Sequence, residues 1–137
     1  MIVLNKEIIS IKTDQDAVFL RNRVSEYAKK IQMGLVNQTK LLTAASEIVR
    51  NMLRYAGKGE VLCEVLSQSV LQTGIRLTFS DKGPGIKDVA LAMKDGYSTG
   101  KSLGIGLPGT KRLVNIFEIA SQPGKGTKVT ITKWKNG

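Results

Sequence analysis

The sequence reads Ser46-Glu47-Ile48-Val49-Arg50-Asn51 inside a long amphipathic segment. About thirty residues later it reads Asp81-Lys82-Gly83-Pro84-Gly85, and then Gly104-Ile105-Gly106. An acid–amide pair on a helix, an Asp-Gly turn and a flexible glycine loop are together the parts needed to hold Mg-ATP. None of the three motifs is decisive alone. The prediction of an ATP site therefore rests on their order and spacing in one short chain.

The acid–amide pair lies on a predicted helix that opens at Asn37 or Thr39 and runs to about Ala56. Glu47 and Asn51 are four residues apart, which makes them stacked neighbours on the side roughly opposite the apolar face. A carboxylate and an amide can together hold a hydrated Mg²⁺ and orient a nucleophile. Taken alone, however, the helix favours a solvated polar face with an Arg–Glu pair. The apolar face comprises Leu41, Leu42, Ala45, Ile48, Val49, Met52, Leu53 and Ala56.

The Asp-Gly turn follows a strand with period-two hydrophobicity, and Gly83 and Gly85 bracket Pro84. Glycine permits positive φ and lets a ligand approach the backbone closely. Asp81, at the strand end, can accept a hydrogen bond from an exocyclic amine such as that of adenine. The alternative interpretation is an ordinary tight turn, which is frequent at Asp-x-Gly.

Glycines are concentrated in one region, because seven of the fourteen lie between Gly83 and Gly109. The segment 96–106 leads straight into a predicted helix. Backbone N–H groups at a helix start, together with Lys101, form a natural phosphate cradle. The segment is not a Walker A loop, since no glycine stands five residues before Gly100. A dinucleotide fingerprint is discounted, since its glycines follow a loop rather than a strand.

The hydrophobic pattern predicts one domain over residues 1–137 with an α/β (α+β) two-layer sandwich fold. We expect a mixed, largely antiparallel sheet with the helices on one face. Gly34 is predicted to provide the left-handed end of the first helix. The predicted strands cover residues 2–11, 60–67, 74–80, 117–122 and 127–134. The predicted helices cover residues 14–33, 37–56, 87–94 and 107–117.

Composition narrows the class of protein. The chain has no histidine and a single cysteine, Cys63, which argues against zinc, histidine-containing triads and an internal disulfide, and fits a cytoplasmic location. No run of apolar residues is long enough for a membrane span. The formal net charge of +10 indicates an anionic partner. Few aromatic residues are present, so dedicated nucleic-acid binding is not favoured.

Four motifs, in order, resemble the ATP-binding boxes of the GHKL superfamily, which includes gyrase-type ATPases, histidine kinases and MutL-like proteins. They are Glu47…Asn51 for the N box, Asp81-x-Gly83-x-Gly85 for the G1 box, Gly104-x-Gly106 for the G2 box, and Gly126-Thr127 for the last adenine-pocket element. The resemblance spans residues 10–134 and implies the GHKL (Bergerat) ATP-binding fold, with ATP and Mg²⁺ as cofactors.

One stretch is more specific than the boxes. The sequence Leu103-Gly104-Ile105-Gly106-Leu107-Pro108-Gly109-x-Lys111-Arg112-Leu113 resembles the RsbT-type switch kinases, a branch of the anti-sigma-factor serine kinases. The resemblance implies a protein serine/threonine kinase that phosphorylates a STAS-domain antagonist. It also implies binding and activation of an output protein such as a PPM-type phosphatase. An exposed helical face could pair two copies into a homodimer.

The resemblance also implies a role for each matched residue. Glu47 would be the base or orienter for the attacking hydroxyl, and Asn51 would ligate Mg²⁺. Asp81 would bind the adenine amine with support from Thr127. The glycines implied to line the base pocket are Gly83 and Gly85, and the residues implied to close over the phosphates are Lys101, Gly104 and Gly106. Lys101 is included because of its charge.

Three functions remain open from sequence. The first is the kinase. The second is an ATP-dependent anti-sigma factor or switch module that acts mainly by forming complexes. The third is a nucleic-acid binder driven by the positive charge, which predicts affinity with a steep dependence on salt.

Overall fold

Five strands form one sheet in the computed structural model, which describes residues 1–86, 89–93 and 106–137. In chain order they are β1 (Ile2–Ile11), β2 (Gly59–Ser69), β3 (Gln72–Asp81), β4 (Ile116–Gln122) and β5 (Gly126–Trp134). Their order across the sheet is β1-β2-β3-β5-β4, and each described pairing is antiparallel. The α+β class is confirmed, but the sheet is antiparallel throughout rather than mixed. The reason is that β4 takes the outer edge and the hairpin returns β5 beside β3 in the opposite direction.

The described ranges contain four helices beside the sheet: α1 (Asp14–Lys30), α2 (Leu35–Tyr55), α3 (Val89–Ala92) and α4 (Gly106–Leu113). The side chains that alternate toward α1 and α2 are apolar and buried, as expected for a sheet with one covered face. Residues of this inner face include Ile9, Val61, Cys63, Leu77, Phe79, Val129 and Ile131. The prediction of helices on one face is confirmed. In the described part of the chain, no helix combines the length and apolar character that a membrane crossing needs.

Helix α1 begins at Asp14, as predicted, and its start is set by a capping box between Thr13 and Asp16. The Asp16 N–H donates to Thr13 Oγ1 at 3.1 Å, and the Thr13 N–H donates back to Asp16 Oδ2 at 3.1 Å. A further donor, the Lys12 N–H at 2.8 Å, is the main cause that lowers the pKa of Asp16. Two donors and a carboxylate therefore fix the point where β1 turns into the helix.

The junction between α1 and α2 differs from the prediction. Gly34 was expected in a left-handed conformation, but its φ is −62° and it serves as the N-cap of α2. The left-handed residue is Gln32, with φ 62°. The helix α1 ends at Lys30, three residues before the predicted end, so the left-handed position falls earlier in the chain. Helix α2 consequently begins at Leu35, before the predicted Asn37 or Thr39.

Substitutions at two glycines with open surroundings test these backbone conformations. A Cβ atom at Gly34 or at Gly57 would meet nothing within 4 Å, but the φ of Gly57 is +81°. We expect Gly34→Ser to raise the free energy of unfolding by about 0.5–1 kcal/mol, because serine can cap α2 and restricts the unfolded chain. Gly57→Ser should lower it by about 1–2 kcal/mol, because a side chain is strained at that φ. Urea unfolding of both variants measures the difference, and equal effects would contradict it.

Candidate functional site

The predicted acid–amide pair lies on α2, but not on a solvated face. Glu47 is 6% exposed and Asn51 is half-buried. Both carboxylate oxygens of Glu47 accept hydrogen bonds from Nη2 of Arg50, at 2.7 and 2.8 Å. The Arg–Glu pair of the simpler interpretation is therefore present, but Glu47 is buried and not exposed to solvent. A buried carboxylate held by a guanidinium is a hydrogen-bond acceptor with a fixed orientation.

The surroundings of Asn51 are compatible with its predicted role as a cation ligand. Its side-chain amide makes no hydrogen bond to another described residue, although the side chain is half-buried. Within the described residues no cluster of three His, Cys, Asp or Glu could cage a metal ion. Mg²⁺ usually keeps several waters and binds through one or two protein oxygens plus substrate phosphates. A single amide oxygen one turn from a buried carboxylate fits that mode of binding.

The Asp-Gly turn is held directly against the end of α2. The Gly83 N–H donates to Asp81 Oδ1 at 2.9 Å, which orients the carboxylate. A Cβ atom on Gly83 would lie 2.6 Å from Ala56 Cβ and 2.9 Å from Ala56 Cα. Glycine is therefore required by a close approach of backbone to helix. This contact brings the strand end that carries Asp81 to the helix that carries Glu47.

Asp81 and Thr127, which the sequence placed in one pocket, are cross-strand partners. Asp81 pairs with Thr127 across β3 and β5, and Thr127 pairs with Ser121 across β5 and β4. Each residue is half-buried. They continue the inner face of the sheet, since Phe79 and Val129 precede and follow them at period two. The structure therefore places a row of polar side chains at the end of the apolar core.

Ser121 organises this row and was missed from the sequence. Its Oγ accepts from the Ile86 N–H at 2.7 Å and donates to the Gly126 carbonyl at 3.0 Å. Because the single serine proton is used there, Thr127 is the donor in the 2.9 Å contact between the two hydroxyls. The lone pairs of Thr127 remain as acceptors. The available signal was a polar residue that replaces an apolar one in the alternation Phe117, Ile119, Ser121.

A second link joins the Asp-Gly turn to the β4–β5 hairpin. The Gly124 N–H donates to the Pro84 carbonyl at 2.7 Å. Gly85 has φ +77° and packs against the carbonyl of Gln122, so a side chain would meet both strain and backbone there. Gly83 and Gly85 thus lie beside Asp81 and Thr127, where the sequence predicted them. Their contact with a base stays a prediction.

Gly83→Ala tests the contact between this turn and α2. We expect it to lower the free energy of unfolding by about 1–3 kcal/mol, because the added methyl group overlaps Ala56. Ala56→Gly in the same chain should recover part of that loss by removing one of the two overlapping carbons. Thermal unfolding of the single and double variants measures the coupling. Strictly additive effects would show that the two positions are not in contact.

The predicted glycine lid is described only at its end. Lys101 and Gly104 lie outside the described residues. Gly106 opens α4 with φ +69°, and its carbonyl accepts from Thr110 Oγ1 at 2.9 Å. Thr110 is fully buried, and α4 packs against α2. The helix that follows the lid is therefore attached to the helix that carries Glu47.

Comparisons with known proteins agree with this geometry. Residues 36–136 match the family of histidine kinase-, DNA gyrase B- and HSP90-like ATPases. The chain is 38% identical over 130 residues to the serine/threonine-protein kinase RsbT of Bacillus subtilis, covering 95% of this chain and 97% of the relative. It is 28% identical over 131 residues to an anti-sigma F factor of Caldanaerobacter subterraneus, covering 93% and 92%.

The fold recurs in a solved structure of the RsbU and RsbW domains of a Mycobacterium tuberculosis protein. The TM-score is 0.66 at 18% identity, and the match covers 94% of this chain and 32% of that one. At this identity the likeness concerns the fold alone. The sequence matches and the geometry of α2 and the Asp-Gly turn lead to one assignment: this chain belongs to the family of histidine kinase-, DNA gyrase B- and HSP90-like (GHKL) ATPases.

Proposed function

We propose that this chain is a protein serine/threonine kinase of the switch type, which transfers the γ-phosphoryl group of ATP to a STAS-domain antagonist. The observation that carries the proposal is the buried Glu47, held by Arg50 one turn before Asn51. A nucleotide-binding module needs no buried carboxylate beside its cation ligand, whereas phosphoryl transfer to a hydroxyl needs a group that orients the nucleophile. RsbT, a serine/threonine-protein kinase by name, is similar along almost the whole chain.

Each site residue has a separate role in the proposed reaction. Asp81 accepts a hydrogen bond from the adenine amine, and Thr127 supports the base through its free lone pairs. Asn51 would hold Mg²⁺, which would supply positive charge that neutralises the ATP phosphates. Glu47 orients the hydroxyl of the substrate and accepts its proton. Lys101, Gly104 and Gly106 close over the phosphates, with Gly106 at the start of α4.

Little covalent chemistry falls to the protein in such a reaction, so catalysis depends on positioning. Two described contacts support such positioning. Helix α2 contacts the Asp-Gly turn through Ala56, and it also packs against α4. Phosphorylation of the antagonist would then free this chain to bind and activate an output protein such as a PPM-type phosphatase. Pairing of two copies as a homodimer stays a prediction.

The experiment is incubation with γ-labelled ATP, Mg²⁺ and a STAS-domain partner, followed by detection of label on the partner. Label on a serine or threonine of the partner is the expected result. No transfer to any STAS-domain candidate, with ATP binding intact, would overturn the kinase proposal.

A second function is favoured by the similarity to anti-sigma F factors, namely a switch module whose output is complex formation. The two functions differ in how the output depends on Glu47. If Glu47→Ala removes phosphorylation but leaves ATP-dependent complex formation unchanged, binding is the main output.

A further inference from the structure

A concavity of about 800 Å³ opens at the end of the sheet that carries Asp81, and part of its lining lies on the face turned away from the helices. Ser80, Glu60 and Lys128 line it, and they alternate with Phe79, Val61 and Val129, which are buried toward the helices. We call it the reverse-face cavity, lined by Lys12, Lys58, Lys82, Lys125, Lys128 and Glu60. It adjoins the candidate ATP site, because Asp81 and Thr127 also belong to its lining.

The reverse-face cavity is strongly basic. Its five lysines are exposed, and its acidic residues are Glu60 and Asp81. The close ion pairs of the described residues are all made by arginines elsewhere, although Lys12 interacts electrostatically with Asp16. Five of the basic residues behind the net charge of +10 thus lie at one concave surface next to the candidate ATP site.

The lysines are close enough for their potentials to add. Lys12 follows β1, Lys58 precedes β2, Lys82 follows β3 and Lys128 lies on β5, all at the same end of the sheet. These four strands are consecutive in the sheet, and neighbouring strands lie about 5 Å apart. The spacing between neighbouring strands is shorter than the Debye length of about 8 Å at physiological salt. Like charges held this close attract an anionic partner.

The lining chemistry points to carboxylates rather than nucleic acid. None of the described residues that line the reverse-face cavity is aromatic, so they offer unpaired bases no stacking surface. Flexible ammonium groups suit single carboxylates as point charges, and Ser80 and Gln122 add hydrogen-bonding groups. We infer that the reverse-face cavity docks an acidic segment of a partner protein, rich in Asp and Glu. This inference concerns a different surface from the proposed catalytic residues and does not require phosphoryl transfer.

The test uses a fluorescein-labelled peptide of eight glutamates, followed by fluorescence anisotropy with the full chain. The test variant of the full chain combines three substitutions in the cavity lining, Lys12→Gln, Lys82→Gln and Lys128→Gln. The matched control is Lys29→Gln with Lys30→Gln, exposed lysines at the end of α1 that do not line the cavity. We expect peptide binding that weakens with salt, a loss of about tenfold or more in the triple variant, and less than about twofold in the control.

Any of four outcomes would overturn the inference. The first is no peptide binding at 50 mM salt, and the second is an equal loss in the control variant, which would indicate general attraction by net charge. The third is tighter binding of a single-stranded oligonucleotide of eight thymidines through the same three lysines. ATP affinity is measured on each variant in parallel. A large loss in the triple variant would assign these lysines to the nucleotide site and would also overturn the inference, whereas the kinase proposal would stand.

Discussion

Glu47→Gln should lower the rate of phosphoryl transfer to the protein substrate by about 10²–10⁴-fold, the usual contribution of a general base. The amide has nearly the same shape but cannot accept the proton of the substrate hydroxyl. Glu47 is also the partner of Arg50, so its neutral replacement loses the orientation that two hydrogen bonds now give. MgATP affinity should stay within about threefold of the wild type, because Asn51 and Asp81 are unchanged. Single-turnover kinetics with labelled ATP separate the two quantities.

The matched control is Glu64→Gln. Glu64 is 7% exposed and receives hydrogen bonds from Arg76 at 2.9 and 3.1 Å, so it is a buried Glu–Arg pair like the first. It lies on β2, away from α2 and the Asp-Gly turn. Both variants should lose similar stability, since each leaves a guanidinium without its carboxylate. Only Glu47→Gln should lose transfer. Full activity in Glu47→Gln, or equal loss in both variants, would remove Glu47 from the reaction.

The strands were predictable because one face of each packs against the apolar core. In β2 and β3 the apolar residues of the inner face recur at period two and are buried, although Glu64 and Leu66 on the other face of β2 are buried as well. The same alternation places Asp81 and Thr127 on the inner face. The start of α1 was predictable as well, because Thr13 and Asp16 act on the neighbouring backbone only. Local chemistry and a single buried face are what sequence patterns record well.

The burial of Glu47 was not predictable from the helix pattern. A pattern with one apolar face implies one covered side, and Glu47 lies off that side. The structure adds a second neighbour, since α4 packs against α2 although it begins about fifty residues after α2 ends. Contacts between such distant segments leave no periodic signal in either one. The Arg50 pair, in contrast, is a local i, i+3 contact and was anticipated.

The predicted left-handed conformation of Gly34 was wrong for a different reason. A glycine after a helical pattern commonly indicates a left-handed helix end, but it does not show at which residue the helix ends. Here the helix ends early and Gln32 takes the left-handed conformation. Gly34 then opens the next helix, a role in which glycine is also acceptable. Two helices joined by so few residues therefore give one glycine two plausible assignments.

Asp81→Asn should weaken ATP binding by about 10- to 150-fold, the range for one hydrogen bond to a charged group. The turn itself should survive, because the amide oxygen of asparagine can still accept from the Gly83 N–H, as Oδ1 does now at 2.9 Å. The second oxygen becomes an NH₂ group, which would face the adenine amine donor to donor. The loss should therefore come from the base and not from an altered backbone.

A base analogue isolates that hydrogen bond. Purine riboside triphosphate lacks the exocyclic amine, so it should bind wild-type protein more weakly than ATP by a factor similar to the Asp81→Asn effect. In the Asp81→Asn protein the two nucleotides should bind within about threefold of each other, because neither can form the bond. Asp14→Asn, the same chemical change at an exposed position in the first turn of α1, should leave both affinities unchanged. Equal discrimination between the two nucleotides in wild type and Asp81→Asn would place the adenine amine elsewhere, because the preference for ATP would then not depend on this carboxylate.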